Sequence, residues 1–421
     1  MNPMNRFASK SGLYYGWYVA GACTFVAAIA HGIGALNQGV FLAYFSQEYG
    51  WSRSALSLGP MLSHLWAGVA GIIIGRYIDR RGPHLALIVG SVALAWGTFL
   101  LGVTHHVWQT YPAFLLLGVG FACLHNVTLG KIIAKWFHRG RARAMAIVAF
   151  GVTLGGMIIV PFTAAILQHW GGPIGGFILA VITLGVIIPL ALWVIHDGPE
   201  ALGLYVDGHC APADDASTIH SAENKYQWTL AEAMQTLTFW ALAIGLSLAI
   251  MAQAGFVVHQ VSIYQSSFGL LGAAGVVTVT TFAGALSRLG FLLCGPQWPS
   301  RHIMTGAYLL QALGLLLLAF GKTPWLLIVG AIVLGFSMSL VVILDPVISS
   351  ECFGQITYGR IYGPIYFGTR LAAALGTLLY GVIASATGSY RPALFIMAAA
   401  LFLAACSIQC AIPPVTREAE S

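Results

Sequence analysis

Charge is what this sequence has least of. Only 8% of its 421 residues are Asp, Glu, Lys or Arg, whereas 58% are hydrophobic. A soluble domain carries about 25% charged residues. The 19 basic and 13 acidic side chains are too few to solvate a globule of this size. The composition therefore excludes a soluble enzyme, a nucleic-acid-binding protein and a disordered chain.

Paired cysteines and catalytic motifs are also missing. The seven cysteines form no Cys-x-x-Cys pair and lie mostly in apolar runs, which indicates neither a disulfide framework nor a metal site. We interpret the one metal-like grouping, His209-Cys210 with His220, as coincidental. The nucleophile-elbow, Walker A and zinc-protease motifs are absent. We expect no enzyme activity, no cofactor, no metal and no ATP-driven transport by this chain alone.

Long apolar runs make up most of what the sequence does contain. A helix that crosses a bilayer needs about 20 mostly apolar residues. A polar stretch that begins at Asp197 separates six such runs from six more. Because the strands of membrane barrels are short and alternate in polarity, the pattern predicts an all-α polytopic membrane protein with twelve transmembrane helices. The runs cover 15–40, 54–75, 85–104, 111–134, 144–168, 173–196, 236–264, 270–294, 303–321, 325–349, 361–386 and 392–412.

The predicted domains are an N-terminal six-helix half (1–196), a linker (197–232) and a C-terminal six-helix half (233–421). The basic residues orient them. Of the 19 Lys and Arg, three lie in one set of connecting segments and two arginines lie deep inside runs. The remaining 14, with Lys131 counted at the inner end of its run, lie on the side of the N-terminus. Since cytoplasmic loops carry the excess of Lys and Arg, we predict an inner-membrane protein whose termini and linker are cytoplasmic.

The two halves repeat weakly. Segment 136–156 opens helix 5 with an aromatic pair, basic residues and glycines. Segment 353–376 opens helix 11 with Phe-Gly, a basic residue and spaced glycines. Such repeats are typical of transporters whose halves rock about a site near the middle of the membrane.

The segment between helices 2 and 3 reads GRYIDRRG (75–82). It resembles the GxxxDRxGR signature of the major facilitator superfamily, with a Pro-His pair where the signature ends in basic residues. The resemblance implies a twelve-helix transporter and a role in conformational change for the segment, which begins at Gly75. We expect Asp79 to accept hydrogen bonds from a helix N-terminus, Arg80 to hold the cytoplasmic face and Gly82 to turn the chain.

Four further segments narrow this resemblance to the group of monocarboxylate transporters and oxalate:formate antiporters. This chain has a counterpart of four segments of that group: the start of helix 1, the helix 4–5 signature, the helix 8 segment with its arginine, and the helix 11 segment. In oxalate-type antiporters the last segment carries a lysine. The counterparts are YYGW (14–17), KWFHR with GVTLGG (135–139 and 151–156), LSRLG (286–290) and YGPIYFGTR (362–370).

Two arginines inside apolar runs, Arg288 and Arg370, carry most of the functional argument. An arginine in the middle of a membrane helix costs about 2.5–3.5 kcal/mol on insertion scales, so such residues usually face a polar path. Asp345, near the inner end of helix 10, can neutralise only one of them. Guanidinium groups bind carboxylates through two parallel hydrogen bonds. The sequence thus predicts an organic carboxylate as substrate.

The resemblance implies that Arg288 binds the substrate carboxylate and that Arg370 takes the place of the helix 11 lysine. Tyr366 and Phe367 lie one turn from Arg370 and are expected to line the site. A site with two cations reorients poorly when it is empty, so we expect anion exchange. The expected partners are a small organic anion, a counter-anion or protons, and the lipid bilayer. We expect a monomer.

Other functions stay open from the sequence. Proton-coupled monocarboxylate symport with a structural Arg370 is the main alternative. Animal monocarboxylate transporters use an acidic residue four positions before the helix 8 arginine, and Gly284 stands there in this chain, which disfavours that alternative. A nutrient sensor on a transporter scaffold and an anion channel are further alternatives.

Several polar residues are weaker candidates for the substrate cavity. His259 matches a histidine of bacterial members, and both a core and a cavity role stay open for it. His31, Gln38 and Asn126 are kept as candidates, although helix packing is the favoured interpretation for each. We expect Asp345 to belong to a cytoplasmic gate or to pair with Arg360.

Overall fold

The protein is described here by a computed structural model. Nearly all of the described residues are helical and none of them forms a strand. Ten of the described helices are long and apolar enough to cross a membrane. The predicted all-α membrane architecture is confirmed. The described residues are 14–138, 140–196, 198–208, 228–294, 298–354 and 358–412, apart from a few side chains within these ranges.

Two of the ten helices are too long for a single crossing. Arg143–Val194 has 52 residues and Leu237–Phe291 has 55, whereas about 20 residues span the hydrocarbon core. Each contains one glycine outside the helical conformation, Gly171 with φ 74° and Gly269 with φ 69°. We number the segments on either side of these glycines separately, and this division gives α1 to α12.

Several helices extend beyond the apolar runs, because a run marks only the part of a helix that suits hydrocarbon. Helix α1 continues to Glu48 and α10 to Phe353. Short helical turns occupy Pro199–Leu202, Val206–Gly208 and Leu230–Met234. The long helices are α1 Gly16–Glu48, α2 Arg53–Arg81, α3 His84–Gly102, α4 Val107–Trp136, α5 141–170, α6 172–194, α7 237–268, α8 270–294, α9 Ser300–Phe320, α10 Pro324–Phe353, α11 Tyr358–Thr387 and α12 Arg391–Gln409.

Turns with positive φ recur at corresponding places of the two halves. Gly50 follows α1 and Gly269 follows α7, while Gly171 follows α5 and Gly388 follows α11. Glycine adopts this backbone without the steric penalty that a Cβ brings. The matching positions of these turns therefore support the repeat that the sequence shows only weakly.

The described residues form two compact units. One contains the described residues of Met1–Gln38 and Trp66–His220, and the other those of Gly39–Leu65 and Ser221–Ser421. The second unit thus includes the end of α1 and the start of α2 beside the C-terminal helices. Most of the predicted linker, 197–232, lies outside the described residues.

Glycines let helices approach closely within each unit. In the first unit, a Cβ at Gly151 on α5 would overlap the carbonyl oxygen of Thr24 on α1. In the second, a Cβ at Gly376 on α11 would overlap the carbonyl oxygen of Met251 on α7. Both glycines lie in the segments that repeat in sequence. The repeat therefore encodes a close helix crossing, of α1 with α5 and of α7 with α11.

Candidate functional site

Arg288 lies on α8, half-buried, and its guanidinium is oriented by α10. Its Nε donates a hydrogen bond of 2.7 Å to Ser339 Oγ. Sequence reasoning missed Ser339, because its contact with Arg288 depends on how α8 and α10 pack. The bond fixes the direction of the side chain, so the terminal nitrogens of Arg288 are held in one orientation.

A close crossing of α8 and α10 places Ser339 beside Arg288. A Cβ at Gly335 would overlap the carbonyl oxygen of Thr280, and a Cβ at Gly284 would lie 3.1 Å from the carbonyl oxygen of Gly335 and 3.3 Å from Ser339 Cβ. Gly284 therefore occupies a packing contact. A side chain at this position would require α10 to shift by a few tenths of an ångström.

Arg370 lies on α11 and stacks on an aromatic ring one turn away. Its Cζ is 4.8 Å from the centroid of the Tyr366 ring, a cation–π geometry. Its Nε is buried and has no hydrogen-bond partner among the described residues. The structure thus brings Tyr366 to Arg370 as the helical spacing predicts. Phe367 is 51% exposed and lies on the adjoining face of α11.

Asp345 contacts α11 through a tyrosine. Its Oδ2 accepts a hydrogen bond of 2.9 Å from the hydroxyl of Tyr362, and its charge interacts with that of Arg370. Arg360, which we expected as a partner, is exposed at the start of α11. Tyr362 is a second residue that sequence reasoning missed. Its spacing of four residues from Tyr366 could have placed it on the same face of the helix.

His259 on α7 is fully buried, and both imidazole nitrogens have partners in the second unit. Nδ1 lies 3.1 Å from the hydroxyl of Tyr390, and Nε2 lies 3.1 Å from the carbonyl oxygen of Thr377. Ser57 Oγ is 3.2 Å from Nε2. This environment supports the core role over the cavity role for His259, because neither nitrogen points to open space.

Tyr390, in the turn before α12, fixes the hydrogen-bond directions at His259. Burial raises the pKa of Tyr390 to about 12, against the opposing effect of the charge of Arg53. The guanidinium of Arg53 lies 4.8 Å from the Tyr390 ring centroid. The protonated hydroxyl donates to Nδ1, which leaves the proton on Nε2 to be donated to Thr377.

Tyr390→Phe is expected to lower the melting temperature by several degrees without changing carboxylate affinity. The substitution leaves a buried imidazole nitrogen without its donor, which costs about 1–3 kcal/mol. Thermal unfolding in detergent and ligand titration measure the two effects. Tyr205→Phe, at a tyrosine that is 55% exposed, is the control. A variant with unchanged stability and weakened binding would instead place His259 in the substrate cavity.

In the first unit, His31 and Gln38 bond to their own helix. His31 Nδ1 lies 3.3 Å from the carbonyl oxygen of Ala27, and Gln38 Nε2 donates to the carbonyl oxygen of Gly34 at 2.5 Å. The His31 ring also packs at 4.4 Å, centroid to centroid, on His125, the residue at which α4 is interrupted. These contacts support packing as the role of both side chains.

The remaining predicted residues are described only in part. Asn126 begins the second part of α4, but its side chain lies outside the described residues. In the segment after α2, Gly82 has φ 83°, which suits the predicted turn, and Arg80 is exposed. The side chain of Asp79 is not among those described. Gly75 has open space around its Cβ position, so packing does not require glycine there.

The described groups suit an anion better than a metal. Within the described ranges, no cluster of three or more His, Cys, Asp or Glu side chains could hold a metal ion. The second unit instead offers two guanidinium groups, that of Arg288 beside the Ser339 hydroxyl and that of Arg370 beside the Tyr366 ring and within the electrostatic influence of Asp345. Each guanidinium can bind a carboxylate through charge-assisted hydrogen bonds.

Comparison with known sequences identifies the family. The profile described as Major Facilitator Superfamily matches residues 22–297. Monocarboxylate transporter 12 of Rattus norvegicus is 22% identical over 411 residues, which cover 90% of this chain and 82% of the relative. MFS-type transporter 1 of an Ophiocordyceps species is 27% identical over 189 residues. That match spans 42% of this chain and only 41% of the relative.

Comparison with solved structures identifies the fold. A bacterial homologue of the human lysosomal transporter Spinster, in an inward-facing and occupied conformation, superposes with a TM-score of 0.69. The alignment covers 94% of this chain and 97% of the other at 14% sequence identity. At this identity the likeness concerns the fold alone, and it agrees with the helical membrane architecture described above.

Proposed function

Because the chain belongs to the major facilitator superfamily, we propose that it is a secondary transporter of an organic carboxylate anion that works by alternating access. We propose exchange of one anion for another as its mode. The distribution of basic residues supports an inner-membrane location with cytoplasmic termini. The superfamily and the relatives' names support transport of a small molecule, and the residues below support the carboxylate.

The observation that carries the proposal is the charge balance of the C-terminal helices. Between residues 237 and 412 the sequence has only two acidic side chains, Asp345 and Glu351. Glu351 is exposed and accepts a hydrogen bond from Ser300. The two arginines inside the apolar runs, Arg288 and Arg370, are therefore accompanied there by a single acid, Asp345. A positive site inside a membrane protein attracts an anion, and guanidinium groups favour carboxylates.

The roles of the two arginines differ in this proposal. Arg288, oriented by Ser339, is the anchor for the first carboxylate. Arg370, stacked on Tyr366 and with Nε available, takes a second negative or polar group of the substrate. Two cations suit a dicarboxylate, or a monocarboxylate with a further polar group.

Proton-coupled monocarboxylate symport is the second candidate, since a relative aligned over most of the chain is named a monocarboxylate transporter. The packing of Gly284 weighs against the version of this mechanism that uses an acid before the α8 arginine. The Cβ position there is 3.1 Å from the carbonyl oxygen of Gly335, so any side chain at this position would begin in a tight contact with the α10 backbone.

A thermal-shift screen of small mono- and dicarboxylates tests the proposal. We expect dicarboxylates to raise the melting temperature of the wild type more than monocarboxylates do, and Arg370→Ala to lose this preference. A charge-assisted hydrogen bond contributes about 1.5–3 kcal/mol, so dicarboxylate affinity should fall at least about tenfold.

Arg391→Ala, at an exposed arginine at the start of α12, is the control for the screen and should keep the preference. A dicarboxylate preference that survives in Arg370→Ala would make Arg370 structural and favour the symport alternative. The absence of any carboxylate-dependent shift in the wild type would contradict the substrate class.

A further inference from the structure

Asp345 is a buried acid that the binding proposal above does not use. It lies on α10, and Tyr362 of α11 holds its Oδ2 at 2.9 Å. Its other oxygen, Oδ1, is buried and accepts no hydrogen bond from the described residues. An acid inside a membrane helix is costly unless it pairs with another group or faces a substrate or ion pathway. The presence of Asp345 therefore needs an explanation.

A stripe of three side chains on α11 connects Asp345 with Arg370. Residues 362, 366 and 370 are four positions apart and therefore share one face of the helix. The rings of Tyr362 and Tyr366 are 6.0 Å apart, and the Arg370 guanidinium lies 4.8 Å from the Tyr366 centroid. Asp345 and Arg370 thus lie at opposite ends of a continuous series of side-chain contacts through Tyr362 and Tyr366.

The charges and hydroxyls around this stripe come from three other helices. Tyr308 of α9 interacts with Asp345, and His64 of α2 interacts with Arg370. Asp345 interacts with Arg370 through space. Arg370 Nε and Asp345 Oδ1 are both buried, and neither has a hydrogen-bond partner among the described residues. The two charges are close enough to attract each other, yet each keeps capacity for a ligand.

We propose that Asp345 is a resident anion that balances the charge of Arg370 in the empty transporter and thereby sets how strictly transport depends on exchange. This inference rests on the proposed function. When a substrate carboxylate reaches Arg370, it takes over the neutralisation and is repelled by Asp345. When no substrate is bound, Asp345 offsets the charge of Arg370 and leaves that of Arg288 uncompensated, so the empty carrier still reorients, but more slowly than the loaded one. Tyr362 acts as a positioning residue, because it holds the carboxylate toward the stripe.

Asp345→Asn tests the proposal, since it keeps the shape of the side chain and removes the charge. Carboxylate affinity should rise about three- to tenfold, because a like charge near the site is gone. Net uptake into empty proteoliposomes should fall, since the uncompensated cation hinders reorientation of the empty carrier. Exchange against internal carboxylate should persist. A loss of net uptake with exchange retained is not expected of a structural role.

Two further variants keep the test decisive. Tyr362→Phe should raise carboxylate affinity and lower net uptake, as Asp345→Asn does, but by a smaller factor. If Asp345→Asn does not give a monodisperse protein, Tyr362→Phe alone tests the role of Asp345. Glu351→Gln, at the exposed acid of the same helix, should leave both unchanged.

Lower or unchanged affinity in Asp345→Asn, or an equal loss of net uptake and exchange, would overturn the role of Asp345. That result leaves carboxylate binding by the wild type intact. The failure of the proposed function has a different signature, because then the wild type itself binds no carboxylate.

Discussion

Replacing Arg288 by alanine is expected to reduce carboxylate exchange by at least about thirtyfold, since truncating one member of a desolvated charged pair, here the arginine that binds the substrate carboxylate, costs about 2–5 kcal/mol. The variant loses the anchoring cation but keeps Arg370 and Asp345. We therefore expect residual binding of dicarboxylates and none of simple monocarboxylates. Exchange in proteoliposomes and ligand titration of the purified protein measure the two effects.

Two further substitutions test how the Arg288 guanidinium binds and how it is oriented. Arg288→Lys keeps the charge but cannot offer two parallel donors to a carboxylate, so we expect it to recover only a small part of the exchange rate. Ser339→Ala removes the acceptor that orients the guanidinium and should weaken affinity about tenfold. Arg288 and Ser339 should behave as one coupled pair.

Ser337→Ala is the matched control for Ser339→Ala. Ser337 is on the same helix, and its hydroxyl bonds to the carbonyl oxygens of Val333 and Leu334 on that helix. We expect transport like that of the wild type. If Arg288→Ala exchanged carboxylates at the wild-type rate, Arg288 would not be the anchor, whatever the result for Ser339.

Gly376→Ala is expected to destabilise the protein by about 1–3 kcal/mol or more. A Cβ at this position of α11 would overlap the backbone carbonyl of Met251 on α7, and backbone cannot swing aside as a side chain can. The two helices would have to separate. Because Arg370 is on the same helix, substrate affinity should fall together with the melting temperature.

Gly363→Ala provides a matched control on α11. The Cβ position of Gly363 has open space within 4 Å, and the gain in helix propensity from glycine to alanine, about 1 kcal/mol, is common to both variants. The difference between their melting temperatures therefore isolates the clash. Equal stability of the two variants would mean that α7 and α11 do not cross closely at Gly376.

The helices were predictable from the sequence, because the bilayer sets the length of an apolar run. The positions where backbone leaves the helix, Gly171 and Gly269, coincide with gaps between predicted runs. The helix ends were less predictable. Glu48 and Phe353 lie beyond the runs that predicted α1 and α10, because polar ends of a helix carry no hydropathy signal.

Contacts within one helix were predictable, and contacts between helices were not. The stacking of Arg370 on Tyr366 follows from a spacing of four residues. The bonds from Arg288 to Ser339 and from Tyr362 to Asp345 depend on how two helices are rotated toward each other. In a membrane protein the outer faces are as apolar as the packed ones, so hydropathy does not reveal that rotation.

The most direct test of the central claim is counterflow of labelled carboxylates into proteoliposomes of the purified wild-type protein. The account predicts that unlabelled carboxylate inside the vesicles accelerates entry of the label well above the rate into empty vesicles, and that Arg288→Ala abolishes this acceleration. If no mono- or dicarboxylate entered faster than into protein-free liposomes, carboxylate transport would be contradicted.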